Sequence, residues 1–457
     1  MAVRTLDYTP TYPTYPSLWM GGYGGAQRGN HGTVARRLKA SCVVFDDGSG
    51  TKKAMLRIDV VSIAREIHQQ IRAAVLPLVG NVNGNFLITC SHTHSGPMIG
   101  VNSPHPYVMM SLNAADISAI GQTTTVFINQ LVALVQNTLS DATTPVNLGY
   151  ATGSVTIGYN RAELPTVLTE VQVLTARRTS NNSLFALLYG YGCHAVSRGN
   201  DDVFDSDYCG FAAEAIGSAL GIGTNVFFFQ GAAGDQDPED PHQASQVNTL
   251  GQRLANKVVD IVNNGTFTPV TGPISTRYND LLLPLNRDLG NPAAIIELRN
   301  KYTARMAANP PESYDYRHAK VMVDQIAGAG VQRYFFMPIE VWKFGGLNIV
   351  ALAHEVLSVY ETRIKALTGT KTWVMGYSNE IGGYVGGDTT IRAGETKHFG
   401  YEGGWTDDPN VSGAGTWTTF YAWAAPLKLD GDSITTPGGP STEQAIVDAA
   451  AALINQA

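Results

Sequence analysis

Phe86-Leu-Ile-Thr-Cys-Ser-His92-Thr-His94-Ser-Gly-Pro97 runs from apolar residues suited to a buried strand into two histidines and a chain-turning Gly-Pro. In extended backbone a His-x-His sends both imidazoles to one side, close enough to share a metal ion or to set one ring beside it. The same pair also arises by chance as ordinary buried or surface histidines. The residues that follow are not Asp-His, which argues against a metallo-β-lactamase type of site. The rest of the chain has to decide.

The pattern recurs. Alternation and apolar runs predict strands over 40–45 and 54–60, a helix over 62–78, the strand that ends at His92, a helix over 114–139, and strands over 146–158 and 168–176. Leu184-Phe-Ala-Leu-Leu-Tyr-Gly-Tyr-Gly-Cys-His194 is a second apolar run closed by a histidine. Asn225-Val-Phe-Phe-Phe-Gln-Gly231 leads into Asp235-Gln-Asp237-Pro, and Leu347-Asn-Ile-Val-Ala-Leu-Ala353 leads into His354-Glu355. Helices are expected over 206–220, 244–262, 292–307, 313–326 and 441–456, the last opened by a Ser441/Gln444 capping pair. Residues 1–30, rich in Tyr, Pro and Gly, read as irregular cover, and 430–440 as a polar connector. Gly22-x-Gly24 lacks the third glycine and the preceding strand of a dinucleotide fingerprint.

The fold class expected is α/β (α+β), with mixed, largely parallel sheets flanked by helices in a single domain spanning 1–457. With 457 residues, 44% of them hydrophobic, the chain can bury a large core. A net charge of −7 without a Lys/Arg run argues against nucleic acid or an anionic membrane as partner. The four scattered cysteines make neither a disulfide framework nor a zinc knuckle. No apolar leader opens the chain, and no stretch approaches the roughly 18 apolar residues of a membrane span. The expectation is a soluble, cytoplasmic protein acting on a small molecule, with homo-oligomerisation left open.

Several apolar strands thus end in metal-ligand or acid/base residues: His92, His194, Asp235 with Asp237, and His354-Glu355. Ligands of α/β sheets sit beyond the carboxyl ends of strands, where parallel neighbours bring such residues together. Two imidazoles and a carboxylate match a known catalytic zinc set. His354-Glu355-Val-Leu-Ser358 has serine where a helical His-Glu-x-x-His needs its second histidine. Blander roles exist for each: a core histidine at His194, turn caps at Asp235 and Asp237, a helix-dipole partner at Glu355.

His92-Thr-His94-Ser-Gly-Pro resembles the Thr-His-Thr-His-Ser-Gly-Pro signature of neutral ceramidases, the zinc amidases that split the N-acyl bond of ceramide. Met20-Gly-Gly-Tyr23, Gly158-Tyr-Asn160-Arg161, Gly192-Cys-His194, Ala353-His-Glu355, Gly383-Tyr384-Val and Tyr401-Glu402-Gly-Gly resemble further segments of that family, in the same order along the chain. The resemblance implies zinc ligands at His92, His194, Glu355 and Tyr384. It implies catalytic or charge-steadying roles for His94, Arg161 and Tyr384, and substrate contacts at Tyr23, Asn160 and Asp235. Two departures stand out. The family's Gly-Asp-Val-Ser-Pro reads Gly234-Asp235-Gln236-Asp237-Pro238 here, and neither a C-terminal immunoglobulin-like domain nor a secretion signal is expected.

An ionised carboxylate cannot donate a proton as a hydroxyl does, but it can accept one from water or orient it. Asp237 is therefore read as general base in a zinc-dependent amide hydrolase. An esterase or lactonase, a non-catalytic zinc-binding protein and a metal-free structural protein are the alternatives.

Overall fold

The computed structural model describes residues 1–102, 105–284, 288–328, 330, 333–368, 371–391, 402 and 439–457. Three mixed sheets build it, taken up in order along the chain. The first comprises β1 (Ala2–Asp7), β2 (Lys39–Phe45), β3 (Lys53–Ile58) and β4 (Phe86–Cys90), in the order β1-β2-β3-β4. Helix α1 (Arg65–Val75) crosses over between β3 and β4, while α2 (Pro106–Met110) and the long α3 (Ala114–Ser140) follow β4. Among the described residues α3 is the one helix long and apolar enough to span a membrane, contrary to the expectation from the sequence. Its buried Phe127, Leu131 and Val135 belong instead to the core that also holds Ile71 of α1 and Leu56 of β3.

The second sheet draws on β5 (Val146–Ser154), β7 (Glu170–Arg178), β8 (Leu184–Tyr191), β9 (Val226–Gln230) and β11 (Thr268–Val270), ordered β11-β5-β7-β8-β9. The short β6 (Gly158–Asn160) and β10 (Gln236–Pro238) pair antiparallel beside it, with Asp237 opposite Tyr159. Helix α4 (Asp207–Leu220) crosses over from β8 to β9, and α5 (Ala244–Asn264) packs with it over the sheet.

In the third, β12 (Ile274–Pro284), β13 (Tyr334–Phe344), β14 (Leu347–Leu352) and β16 (Lys371–Met375) run in the order β12-β13-β14-β16. The two-residue strands β15 (Glu355–Val356) and β17 (Tyr384–Val385) pair parallel, placing Glu355 opposite Tyr384. Among the described residues, helices α6 (Pro292–Ala308), α7 (Tyr314–Ala327), α8 (Ser358–Thr368) and α9 (Thr442–Gln456) belong to this region. Ser441 caps α9 by accepting from the Gln444 amide.

All three sheets meet in one apolar cluster. Met55 and Leu87 come from the first, Leu188 and Phe229 from the second, and Ile349 and Trp373 from the third. Strands β3, β4, β9 and β14 are buried along their whole length, which is why β4, β9 and β14 read as mainly apolar runs, whereas β3 also buries Lys53 and Arg57.

The architecture is mixed α/β as expected, but the sheets are not largely parallel. Among the described residues, parallel pairing joins β3 to β4, β8 to β9 and β14 to β16, besides the short β15/β17 pair; the remaining ladders there are antiparallel. The two-residue turn Gly345-Gly346 joins the antiparallel β13 and β14 directly, whereas a parallel partner needs a crossover helix, here α1, α4 and α8. Each βαβ crossover thus leaves two strand ends pointing the same way. The N-terminus also differs from the irregular cover expected over 1–30, because β1 pairs with β2 along its length. The expected connector falls mostly on 430–438, outside the described residues.

Candidate metal centre

His92 lies two residues beyond β4, the end of the first crossover, and His194 three beyond β8, which opens the second. Glu355 lies three residues beyond β14, which opens the third. Their donor atoms meet: Glu355 Oε2 is 3.1 Å from His92 Nε2 and 3.3 Å from His194 Nε2. Tyr384 Oη, brought in by the β15/β17 pair, is 3.4 Å from His194 Nε2. Bonds of 2.0–2.1 Å to one ion in a tetrahedron correspond to donor separations of about 3.3–3.4 Å.

The tautomers suit the same purpose. His92 Nδ1 donates to the Val61 carbonyl at 2.7 Å, and His194 Nδ1 to the Ala233 carbonyl at 2.7 Å. Both Nε2 atoms are left as lone pairs facing the centre, the arrangement found behind metal-ligating histidines. Glu355 Oε2 is buried without a well-formed hydrogen bond. A buried carboxylate oxygen facing two imidazole lone pairs is a donor set that fits a divalent cation.

The strand-like geometry expected of His92-Thr-His94 is not what brings these rings together. β4 ends at Cys90, and His92 adopts a left-handed backbone with φ 62°. His94 nonetheless reaches the centre, with His92, His94 and His194 donor atoms all within 4.8 Å of one another. His94 Nε2 is 3.0 Å from His92 Nε2. The His92 Nδ1 proton is committed to Val61, so the proton of this contact belongs to His94. Burial, then the neighbouring His92 and His194, push the His94 imidazole well down, and burial lowers His194 as well.

Arg161 organises the next layer. Its Nη1 pairs with Asp237 Oδ1 at 2.9 Å, its Nε with Glu402 Oε1 at 2.9 Å, and its Nη2 donates to Tyr384 Oη at 2.9 Å and to the Gly234 carbonyl at 3.0 Å. Burial works against charge on Asp237, but Arg161, then His194 and His242, prevail and hold its carboxyl below the ordinary range. Burial raises the Glu402 carboxyl despite Arg161. Of the Tyr401-Glu402-Gly-Gly segment only Glu402 is among the described residues.

Tyr23 sets its ring edge against the His94 imidazole, with centroids 4.8 Å apart, and the Arg28 guanidinium lies over the Tyr23 ring. Asn160 and Asp235, expected to contact substrate, make their hydrogen bonds within the protein. Asp235 is fully buried and accepts from Asn160 Nδ2, Gln236 Nε2, and both the amide and hydroxyl of Ser358. Asn160 Oδ1 accepts from the Ala162 amide, and Nδ2 also donates to the Thr166 carbonyl. With these bonds made inside the protein, the pair braces the start of α8 behind Glu355. His354 likewise faces away: its Nε2 donates to the Phe336 carbonyl and its Nδ1 accepts from the Gly382 amide.

Sequence reasoning missed the Val61 and Ala233 carbonyls, the Tyr377 ring packed on His92 with centroids 4.3 Å apart, and the Glu402 pairing. Glu402 alone carried a signal, through its motif; backbone carbonyls carry none.

No protein-family model matches the chain, and no curated protein matches it. Solved structures do. The neutral ceramidase from Pseudomonas aeruginosa superposes with a TM-score of 0.64 at 17% identity, covering 100% of this chain and 74% of that one. A ceramidase complexed with C2 gives 0.64 at 16%, covering 100% and 75%. The chain therefore has a ceramidase-like fold.

Proposed function

We propose that this protein is a zinc-dependent hydrolase that cleaves an amide (N-acyl) bond of a small substrate. The observation that carries the reading is the meeting of His92, His194 and Glu355, one from each βαβ crossover, with donor spacings of 3.1 and 3.3 Å. Zinc at such a centre acidifies a water molecule and polarises a carbonyl. His92, His194 and Glu355 would hold it, with Tyr384 as the fourth ligand.

The chain's own groups supply the remainder. Asp237, ionised and fixed by Arg161, accepts the proton of the attacking water or orients it. His94 presents its Nε2 proton toward the centre, placed to steady the negative charge that develops on the carbonyl oxygen. Arg161 fixes Tyr384 through its hydroxyl and Asp237 through its carboxylate, so both enter the site with one orientation. The ceramidase-like fold favours an amide as the bond broken. The aspartate in place of a serine favours a small, polar substrate over a long-chain sphingolipid, and an ester or lactone is the second reading.

The test is a panel of matched N-acyl amides, esters and lactones, assayed on zinc-loaded protein and on Asp237→Ala. Amide turnover that needs zinc and falls about 10²- to 10⁴-fold in the variant supports the reading. Faster turnover of the matched esters moves it to an esterase. Zinc binding with no turnover, and with Asp237→Ala indistinguishable from wild type, leaves a non-catalytic zinc protein.

A further inference from the structure

Gln230 ends Val-Phe-Phe-Phe-Gln, the strand β9, and is fully buried. A primary amide in such a place is costly unless its hydrogen bonds are met inside the protein. Gln230 meets them with backbone groups. Its Nε2 donates to the Ser91 carbonyl at 3.2 Å and to the Cys193 carbonyl at 2.7 Å. Its Oε1 accepts from the Cys193 amide at 3.3 Å and the Gly231 amide at 3.2 Å.

Ser91 precedes His92, and Cys193 precedes His194. One side-chain amide therefore grips both histidine-bearing segments a single peptide away from each imidazole, although they leave different sheets. The Gln230 backbone joins the third sheet as well, since its carbonyl accepts from the Gly376 amide just beyond β16. The Val61 and Ala233 carbonyls fix how each ring is turned. Gln230 fixes how far apart the two segments stand.

We propose that Gln230 is the positioning residue that sets the spacing of His92 and His194 in the metal centre. This rests on the metal-centre reading above. Its donors cross from the second sheet to the first, so removing them frees the Ser91 carbonyl and lets the His92 segment shift relative to His194. The effect falls on ion affinity and coordination geometry, with global stability a separate quantity.

The experiment measures zinc affinity by chelator competition and records the cobalt-substituted absorption spectrum. It uses wild type, Gln230→Met, Gln230→Glu and, as a control for a buried glutamine elsewhere, Gln172→Met. Methionine keeps the length and loses every hydrogen bond; glutamate keeps an acceptor and loses both donors. The expected result is zinc binding weakened about 10- to 100-fold in Gln230→Met, with altered cobalt bands, while Gln172→Met keeps wild-type values for both.

Wild-type affinity and an unchanged cobalt spectrum in Gln230→Met overturn the proposal and leave the metal centre standing. Wild-type protein that binds no zinc overturns the metal centre and this inference with it. Should the methionine variant fail to fold, Gln230→Glu decides by the same criteria. Failure of both to fold beside a folded Gln172→Met assigns Gln230 to general folding and also overturns it.

Discussion

Glu355 Oε2 stands 3.1 Å from His92 Nε2 without a well-formed hydrogen bond, although both atoms are buried. The His92 proton is on Nδ1, held by Val61, so two lone-pair atoms face each other. Such a contact is repulsive in a medium of low dielectric unless a proton or cation lies between them. The fold holds this arrangement in place because Glu355 and His92 are fixed from different sheets.

Zinc should therefore stabilise the native protein. At a free concentration 100 times its dissociation constant a ligand adds about 2.7 kcal/mol. Thermal unfolding of the chelated and zinc-loaded protein tests this: the melting temperature should rise with zinc in wild type and stay put in Glu355→Ala. Equal shifts in the two would place the ion elsewhere.

Gly22 is tied to the same site. Its φ is +106°, and a Cβ there would lie 2.6 Å from His94 Cγ and 2.8 Å from His94 Cα. Gly22→Ala combines backbone strain with a clash against His94, whose backbone Arg28 holds through the carbonyl at 2.8 Å. The expected loss is about 1–3 kcal/mol of stability, together with reduced turnover at temperatures where the variant remains folded. A variant with wild-type unfolding and kinetics would show that the Gly22 contact with His94 has no consequence.

Asp235 serves as a brace. Asp235→Ala strands the Ser358 amide and hydroxyl in the interior and should cost about 1–3 kcal/mol, measured by urea unfolding. The effect on catalysis should follow the fraction folded, leaving KM for an amide substrate unchanged. A raised KM with unaltered stability would return Asp235 to the substrate.

The pH dependence has a definite sign at His354. Burial lowers its imidazole to about 4, with Glu380 opposing. Between about 6.5 and 4 the unfolded chain then binds the extra proton, so stability is lost as pH falls through that window, at up to about 1.4 kcal/mol per pH unit for one group. Protonation would also set a second N–H against the Gly382 amide that Nδ1 accepts from. Unfolding of the metal-free protein between pH 7 and pH 4 should be less steep in His354→Gln than in wild type. Identical slopes would assign the loss to other groups.

Much of this was legible in the sequence. Apolar runs buried on both faces announce themselves, so β4, β8, β9 and β14 could be read together with the residues that follow them. Strand β1, only partly buried, lacked that signal beside a Tyr/Pro-rich segment. The direction of pairing was over-read as parallel, since an unbroken apolar run reports burial and not the partner's direction. The left-handed backbone at His92 and His354 was invisible, because non-glycine residues adopt it only where surrounding contacts impose it. Asp235 and Asn160 are ligand-facing by motif, although Asp235 is taken up by a helix start at Ser358, 123 residues beyond it, and Asn160 by Asp235, Ala162 and Thr166.

The central claim, one zinc held jointly by the three crossovers, is tested most directly by elemental analysis of purified, metal-replete protein. Wild type is compared with His92→Ala, His194→Ala and Glu355→Ala. The prediction is about one zinc per chain in wild type and loss of that zinc in each variant, with circular dichroism confirming that they remain folded. Wild-type protein without zinc, or full zinc retained in all three variants, would contradict it.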